Sequence, residues 1–339
     1  MSQWTNKRVL VTGGASFIGS HLVDALLALG ADLRVVDDLS SGRRENIAAY
    51  IQDGSLEFMQ GDLRDPSLAA AAVRDRELVF HLAAIHGGRG FVDLHPADCA
   101  LNLVLDGNLF WACRQAGVAK IVFASSGCVY PNFRQGDPSQ ELYLREDNVG
   151  PPYDADNLYG WAKLMGEKSL QAFVKAWGIE AVCCRYFTVY GERGLENHAV
   201  IAMIARAFIQ ESPFEVWGNG EQIRNWTYVG DIVRGTLLAA EKISDGSAVN
   251  LGTMERTRVL DAAREIMAYT GHQAEIRFRP DMPTGPMNRV ADNRLAKELL
   301  GWEPATSFSC GLRRTVDWYF AQKQPEQVRE ILGYMLTQR

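Results

Sequence analysis

Tyr159 and Lys163 stand four residues apart in the segment Tyr159-Gly160-Trp161-Ala162-Lys163. On a helix that spacing puts both side chains on one face. A free phenol gives up its proton at a pKa of about 10, and a neighbouring ammonium favours the phenolate. Such a tyrosine can take the proton of an alcohol while the alcohol carbon is oxidised. Ser126, in Ser125-Ser126-Gly127-Cys128, adds a hydroxyl suited to hydrogen-bond the reacting oxygen. A tyrosine by itself is more often a packing residue. A tyrosine, a lysine and a serine together favour chemistry.

Oxidation needs an electron acceptor, and the N-terminal segment supplies a place for one. The strand pattern Arg8–Thr12 runs into Gly13-Gly14-Ala15-Ser16-Phe17-Ile18-Gly19 and then a helical pattern. Glycines there permit a tight turn and close approach of a pyrophosphate to the helix N-terminus, at Phe17 and Ile18. Asp37 ends the next strand pattern, 18 residues after Gly19, with Asp38 beside it. An acidic group there suits a ribose diol and repels a 2′-phosphate, so NAD is expected rather than NADP. Arg43 and Arg44 are the features that would reverse this preference. Ser16 stands where the glycine spacing favours a third glycine. It carries a cost if the position needs positive φ, and its hydroxyl is otherwise a donor for a phosphate. Lys163 is expected to hold the nicotinamide ribose.

The elements needed to position these groups can be read from periodicity. Arg8–Thr12, Leu33–Asp37, Leu56–Gln60, Leu78–Leu82, Lys120–Ala124 and Glu180–Arg185 are near-continuous apolar runs, as parallel strands covered on both faces require. Helical patterns alternate with them, among them Ser20–Leu29, Asp98–Ala116 and Leu158–Trp177. The alternation predicts an α/β fold, a Rossmann doubly wound parallel sheet. After Tyr190 helices mix with short strands such as Phe214–Trp217 and Ala248–Leu251. This part is expected to be a smaller mixed α/β substrate-binding domain (residues 191–339, after an NAD-binding domain 1–190), with segments free to return to the main sheet. His81, inside a strand pattern, reads as a satisfied core histidine. His86 and Arg89 follow the fourth strand at the carboxyl edge, where ligands bind.

The 339 residues carry a formal charge of −6, and no basic run exceeds Arg43-Arg44, which argues against a nucleic-acid partner. No apolar run approaches the roughly 20 residues that span a bilayer, and no signal peptide precedes the first strand. The six cysteines have no metal-ligand spacing and read as reduced thiols, which points to the cytosol.

TGGASFIG, VVDDLSSG, GDLRD, FHLAA, SSGCVYP and YGWAK occur in that order. Together they resemble the extended short-chain dehydrogenase/reductase family, the NAD-dependent nucleotide-sugar epimerases and dehydratases. The resemblance implies a tightly bound, recycled NAD and a nucleotide-sugar oxidised to a transient 4-keto sugar. It implies Asp62 and Leu63 at the adenine, Ala83 and Ala84 along the cofactor, and a homodimer through the helices near Asp98–Ala116 and Leu158–Trp177. It also implies Arg224 and Arg289 at the diphosphate, Asp292 toward a ribose, and Trp217 at the base. Thr188 departs from the asparagine usual beside the sugar phosphate. Gly127-Cys128 stands where dehydratases carry Asp-Glu, which argues against elimination.

SSGCVYPNF, HLAAIHGGRGF, FEVWGNG and RVADNRLAKELLGW are similar to segments of the GDP-mannose 3,5-epimerases. That resemblance implies Cys128 as one acid/base and a glycine loop at HLAAIHGGRGF, where Gly88 is a candidate substrate contact and, from their place after the fourth strand, at least one of His86 and Arg89 is expected to touch substrate. A thiol pKa of about 8.5 suits proton transfer, although a free cysteine is often a buried filler. Those enzymes have a lysine near Gly194–His198 as second acid/base; here His198 is the candidate. Inversion at carbon 3 or 5 is therefore favoured, with 4-epimerisation next. Alternatives are an NAD(P)H-dependent 4-keto sugar reductase and a non-catalytic NAD sensor.

Overall fold

The computed structural model describes residues 3–338. Seven parallel strands form the central sheet. They are β1 (Arg8–Thr12), β2 (Asp32–Asp37), β3 (Leu56–Gln60), β4 (Leu78–His81), β5 (Lys120–Ser126), β6 (Glu180–Tyr186) and β7 (Asp245–Leu251). Their order is β7-β6-β5-β4-β1-β2-β3. The winding reverses between β1 and β4, so a crevice opens beyond their carboxyl ends.

The apolar runs are continuous because both faces are covered. Val9 and Val11 of β1 pack on one side with Leu22, Val23 and Leu26 of α1 (Phe17–Ala28). Leu10, between them, packs on the other side with Leu105 and Leu109 of α3 (Asn102–Ala116). A short α2 (Arg89–Leu94) lies between β4 and α3, and α4 (Asn157–Trp177) packs against α3. The expected single helix over 98–116 is two, Pro96–Ala100 and α3. The break is made by a contact with a distant residue. The Asn102 amide is buried and turned back to the Ile85 N–H, the Ile85 carbonyl and the Cys99 carbonyl.

His81 is a core residue. Its ring is buried, with Nδ1 2.8 Å from the Thr12 hydroxyl and Nε2 3.0 Å from Asp106. The Ala248–Leu251 pattern belongs to β7, which pairs in parallel with β6 at the sheet edge. A separate apolar cluster gathers α5 (Ala199–Phe208), the helices Val259–Thr270 and Phe308–Gln322, and α7 (Pro325–Gln338) around Phe214, Val216 and Trp226. Between these, α6 (Val229–Lys242) packs against α1 and β6.

Candidate active site

One cavity runs from the carboxyl ends of β1 and β2 to those of β5 and β6. Gly13, at the end of β1, has φ +69°. A Cβ there would come within 2.9 Å of the Ala83 backbone nitrogen, so only glycine makes this turn. The α1 N-terminus follows at once, and its first N–H groups have no helical acceptor. Ser16 has φ −83°, so it carries none of the strain that a positive φ would impose. Its hydroxyl donates to the Gly13 carbonyl at 2.5 Å.

Phe17, Ile18, Gly19, Asp37, Asp38, Asp62, Leu63, Ala83 and Ala84 all line this end of the cavity. Asp37 does a second job there. Its carboxylate accepts from Ala15 N–H at 3.0 Å and Leu39 N–H at 2.9 Å, bracing the glycine turn. Burial raises its pKa against the pull of those two donors. Asp38 is exposed at the rim. Arg43 and Arg44 do not line the cavity. Arg43 faces Glu196 at 3.9 Å and Arg44 lies over the Phe58 ring.

At the other end, β5 delivers Ser126 and α4 delivers Tyr159 and Lys163. The helix comes close because position 160 is glycine: a Cβ there would sit 2.3 Å from the Cys128 carbonyl. Ser126 Oγ accepts from Cys128 N–H at 3.1 Å and caps the short turn Gly127–Val129. Burial pushes the Tyr159 phenol up, the neighbouring Cys128, Asp106 and Cys99 add to this, and the Ser126 hydroxyl opposes it. The expected help from Lys163 is therefore outweighed in the protein by itself. Burial also lowers the Lys163 ammonium, which lies 4.7 Å over the Phe123 ring. Its Nζ is buried, has no hydrogen-bond partner among the described residues, and belongs to a side chain that lines the cavity. An unpartnered ammonium at one end and a glycine-only turn with an acidic strand end at the other fit a dinucleotide.

Cys128 is half-buried and lines the cavity; of the six cysteines it alone does so. Its Sγ accepts from Arg289 Nη1 at 3.2 Å. Arg289 is held further by Gln135 Oε1 at 2.7 Å and Asp156 at 2.8 Å. Asp156 also takes Arg89 at 2.8 Å, and Arg89 pairs with Asp93. Burial would raise the Asp156 carboxyl, but the Arg289 and Arg89 guanidiniums hold it below the usual carboxylate range. Arg224 has no carboxylate partner among the described residues and donates to the Ile223 and Thr284 carbonyls. Burial and repulsion from Arg289 and Arg89 push it down to about 9. Three guanidiniums thus share two carboxylates, an arrangement suited to an anion.

His86 and His198 stack at 5.2 Å, and the His86 ring lies 5.3 Å from the Tyr159 ring. Burial pushes His86 down to about 3, helped by His198 and Lys163, and pushes His198 down to about 4. Both imidazoles are neutral at pH 7. Gly88, Thr188 and Trp217 line the same end.

Asp292 is the exception among the expected site residues. It lies outside the cavity, buried, with its carboxylate accepting from the Arg294 N–H at 3.0 Å and paired with the Arg294 guanidinium. Arg289 faces the cavity from the short strand Asn288–Arg289. By residue 291 the chain has turned to pair with Leu144, and Asp292 braces the next helix instead. Two residues that organise the site, Gln135 and Asp156, escape a reading of the sequence. Asp156 carries one signal, its place just before the helix that bears Tyr159.

A sequence model described as the NAD dependent epimerase/dehydratase family matches residues 9–252. The chain is similar to UDP-glucose 4-epimerase of Mycolicibacterium smegmatis, 32% identical over 322 residues that cover 94% of this chain and 100% of that one. It is similar to GDP-mannose 3,5-epimerase 1 of Oryza sativa subsp. indica, 31% identical over 336 residues, 96% of this chain and 86% of that one. Its fold is similar to that of a Thermus thermophilus UDP-glucose 4-epimerase in complex with NAD. The TM-score is 0.80 at 29% identity, covering 94% of this chain and 100% of that one. On the family model and on that identity and coverage, the chain belongs to the NAD dependent epimerase/dehydratase family.

Proposed function

We propose that this enzyme inverts carbon 3, carbon 5 or both of a nucleotide-sugar through a transient 4-keto sugar. One observation carries this reading. A half-buried thiol, Cys128, faces the cavity two residues after Ser126, while no carboxylate occupies positions 127 and 128. The likeness to GDP-mannose 3,5-epimerase 1 supports it.

NAD, when bound, supplies a two-electron acceptor and later donor at carbon 4. Ser126 holds the 4-oxygen and Tyr159 takes its proton. Lys163 would hold the nicotinamide ribose, and its ammonium stands beside the phenol that burial raises. The resulting ketone acidifies the hydrogens on carbons 3 and 5. Cys128 exchanges a proton on one face and His198, a neutral base, on the other. Arg224, with Arg289 and Arg89, holds the diphosphate, and Trp217 lies against the base. The cofactor stays bound between turnovers.

A second reading, 4-epimerisation, is favoured by the likeness to the UDP-glucose 4-epimerase. It uses Ser126, Tyr159 and Lys163 and leaves Cys128 idle. Incubation with a panel of nucleotide-sugars in deuterated water separates the two by NMR. Inversion at carbon 3 or 5 brings solvent label into the product, and return of hydrogen at carbon 4 does not. Full turnover by Cys128→Ser overturns the thiol mechanism.

The enzyme is proposed to act as a homodimer. Leu103, Val104 and Trp111 of α3 and Trp161, Met165 and Trp177 of α4 are exposed on two adjacent helices. Six free thiols fit a cytosolic compartment. No helix among the described residues is long and apolar enough to cross a membrane.

A further inference from the structure

The loop 191–198 joins the short strand Val189–Tyr190 to α5. Its end, Leu195, Asn197 and His198, lines the cavity, as does the glycine turn Ser16–Gly19. Just outside the cavity, three contacts tie this loop to the elements that form the dinucleotide end. Arg193 pairs with Asp24 of α1 at 2.8 Å. His21 of α1 lies 2.9 Å from the Glu192 carbonyl. Arg43, in the loop after β2, faces Glu196 at 3.9 Å.

Glu196 is the anchor on the far side. It is fully buried, accepts from Lys323 at 2.7 Å and from Tyr319 at 2.9 Å, and so fixes the loop to the helix Phe308–Gln322. Its Oε2 is buried with no hydrogen-bond partner among the described residues and is turned toward the Arg43 cation. Glu192 is held too, by the Tyr228 hydroxyl at 2.8 Å. A loop so firmly fixed to the substrate side, and bridged by ions to α1, couples the two walls of the cavity.

We infer that Arg193 and Asp24 are positioning residues that retain the dinucleotide, by keeping loop 191–198 closed on α1. Neither lines the cavity. Their pair limits how often the two walls part, and therefore how fast NAD escapes. This rests on the reading that the cofactor is retained and recycled.

The test measures escape of bound NAD(H) directly. Protein is purified, its bound nucleotide quantified after acid release, and the dissociation rate followed by exchange against excess deuterated NAD. Both side chains are about one-quarter to one-third exposed, 26% and 31%. For such a pair, Arg193→Ala or Asp24→Ala is expected to speed dissociation by about three- to fivefold. The double variant should be no faster than either single one. The charge exchange Asp24→Arg with Arg193→Asp should restore the rate to within about twofold, which a merely structural loss would not do. Dissociation at the wild-type rate in both single variants, or no rescue by the exchange, overturns the inference while leaving the recycling reading intact. Rapid loss of NAD(H) from the wild-type protein overturns the recycling reading and this inference with it.

Discussion

Arg289 donates a hydrogen bond to the Cys128 sulfur at 3.2 Å, and Asp156 holds it in that position at 2.8 Å. The Asp156 N–H closes the ring by donating to the Cys128 carbonyl at 2.8 Å. The proposed proton-transfer group and the guanidinium proposed to hold the diphosphate are therefore one assembly. Movement of either is felt by the other.

Asp156→Asn leaves Arg289 buried without its carboxylate and takes one of two from Arg89. Loss of one partner of a buried pair costs about 3 kcal/mol. Urea denaturation should show that loss, and added UDP or GDP should restore part of it by supplying negative charge. The Asp156 pKa is lowered in the folded state. Its contribution is thus fully present above the unfolded value of about 4 and is lost as pH falls through the folded value. The wild-type and Asp156→Asn midpoints should converge below about pH 4.

Lys163→Met removes the buried ammonium near Tyr159 and leaves an apolar stem of similar length. The phenol then loses a favourable charge, so its pKa rises further. In the wild type, turnover should climb with pH along a basic limb. In the variant that limb should move to higher pH and kcat should fall by about 10²-fold or more, as for loss of acid–base function. A pH–rate profile on the retained holoenzyme checks both.

His86 and His198 are pushed down to about 3 and about 4 from an ordinary 6.5. A depressed folded value means that the unfolded chain binds the proton first as pH falls. Their contribution is full above about pH 6.5 and is lost as pH falls from there through the folded values, about 4 for His198 and about 3 for His86. The urea midpoint of the wild type should fall across that window. The double variant His86→Gln, His198→Gln should show a flatter profile.

Leu103→Asp with Trp111→Asp places two charges in the exposed apolar stripe of α3, away from the cavity. Sedimentation should show the variant at one chain mass, 37.7 kDa, and the wild type at twice that. A wild type that sediments as a monomer sinks the dimer reading.

The chemical groups were legible because their spacing is local. Tyr159 and Lys163 share a helical face whatever surrounds them, and Gly13 to Gly19 encode one turn. The strands were legible because a sheet covered on both faces demands apolar runs. The Asn102 break was not, because it answers to Ile85, seventeen residues away. Asp292 was misplaced for a similar reason. Its motif position says nothing of which way the chain turns after Arg289, and pairing with Leu144 settles that.

The sequence by itself determined the winding of the sheet, the glycine turn after β1 and the shared helical face of Tyr159 and Lys163, since each rests on short-range periodicity or backbone freedom. Only the tertiary structure decided that Cys128, Arg289 and Asp156 meet, that the two histidines stack beside Tyr159, and that Arg193 reaches Asp24. The bond between Arg289 and Cys128 spans 161 positions of chain, and the one between Arg289 and Asp156 spans 133. Long-range packing selects such contacts, and no local pattern records them.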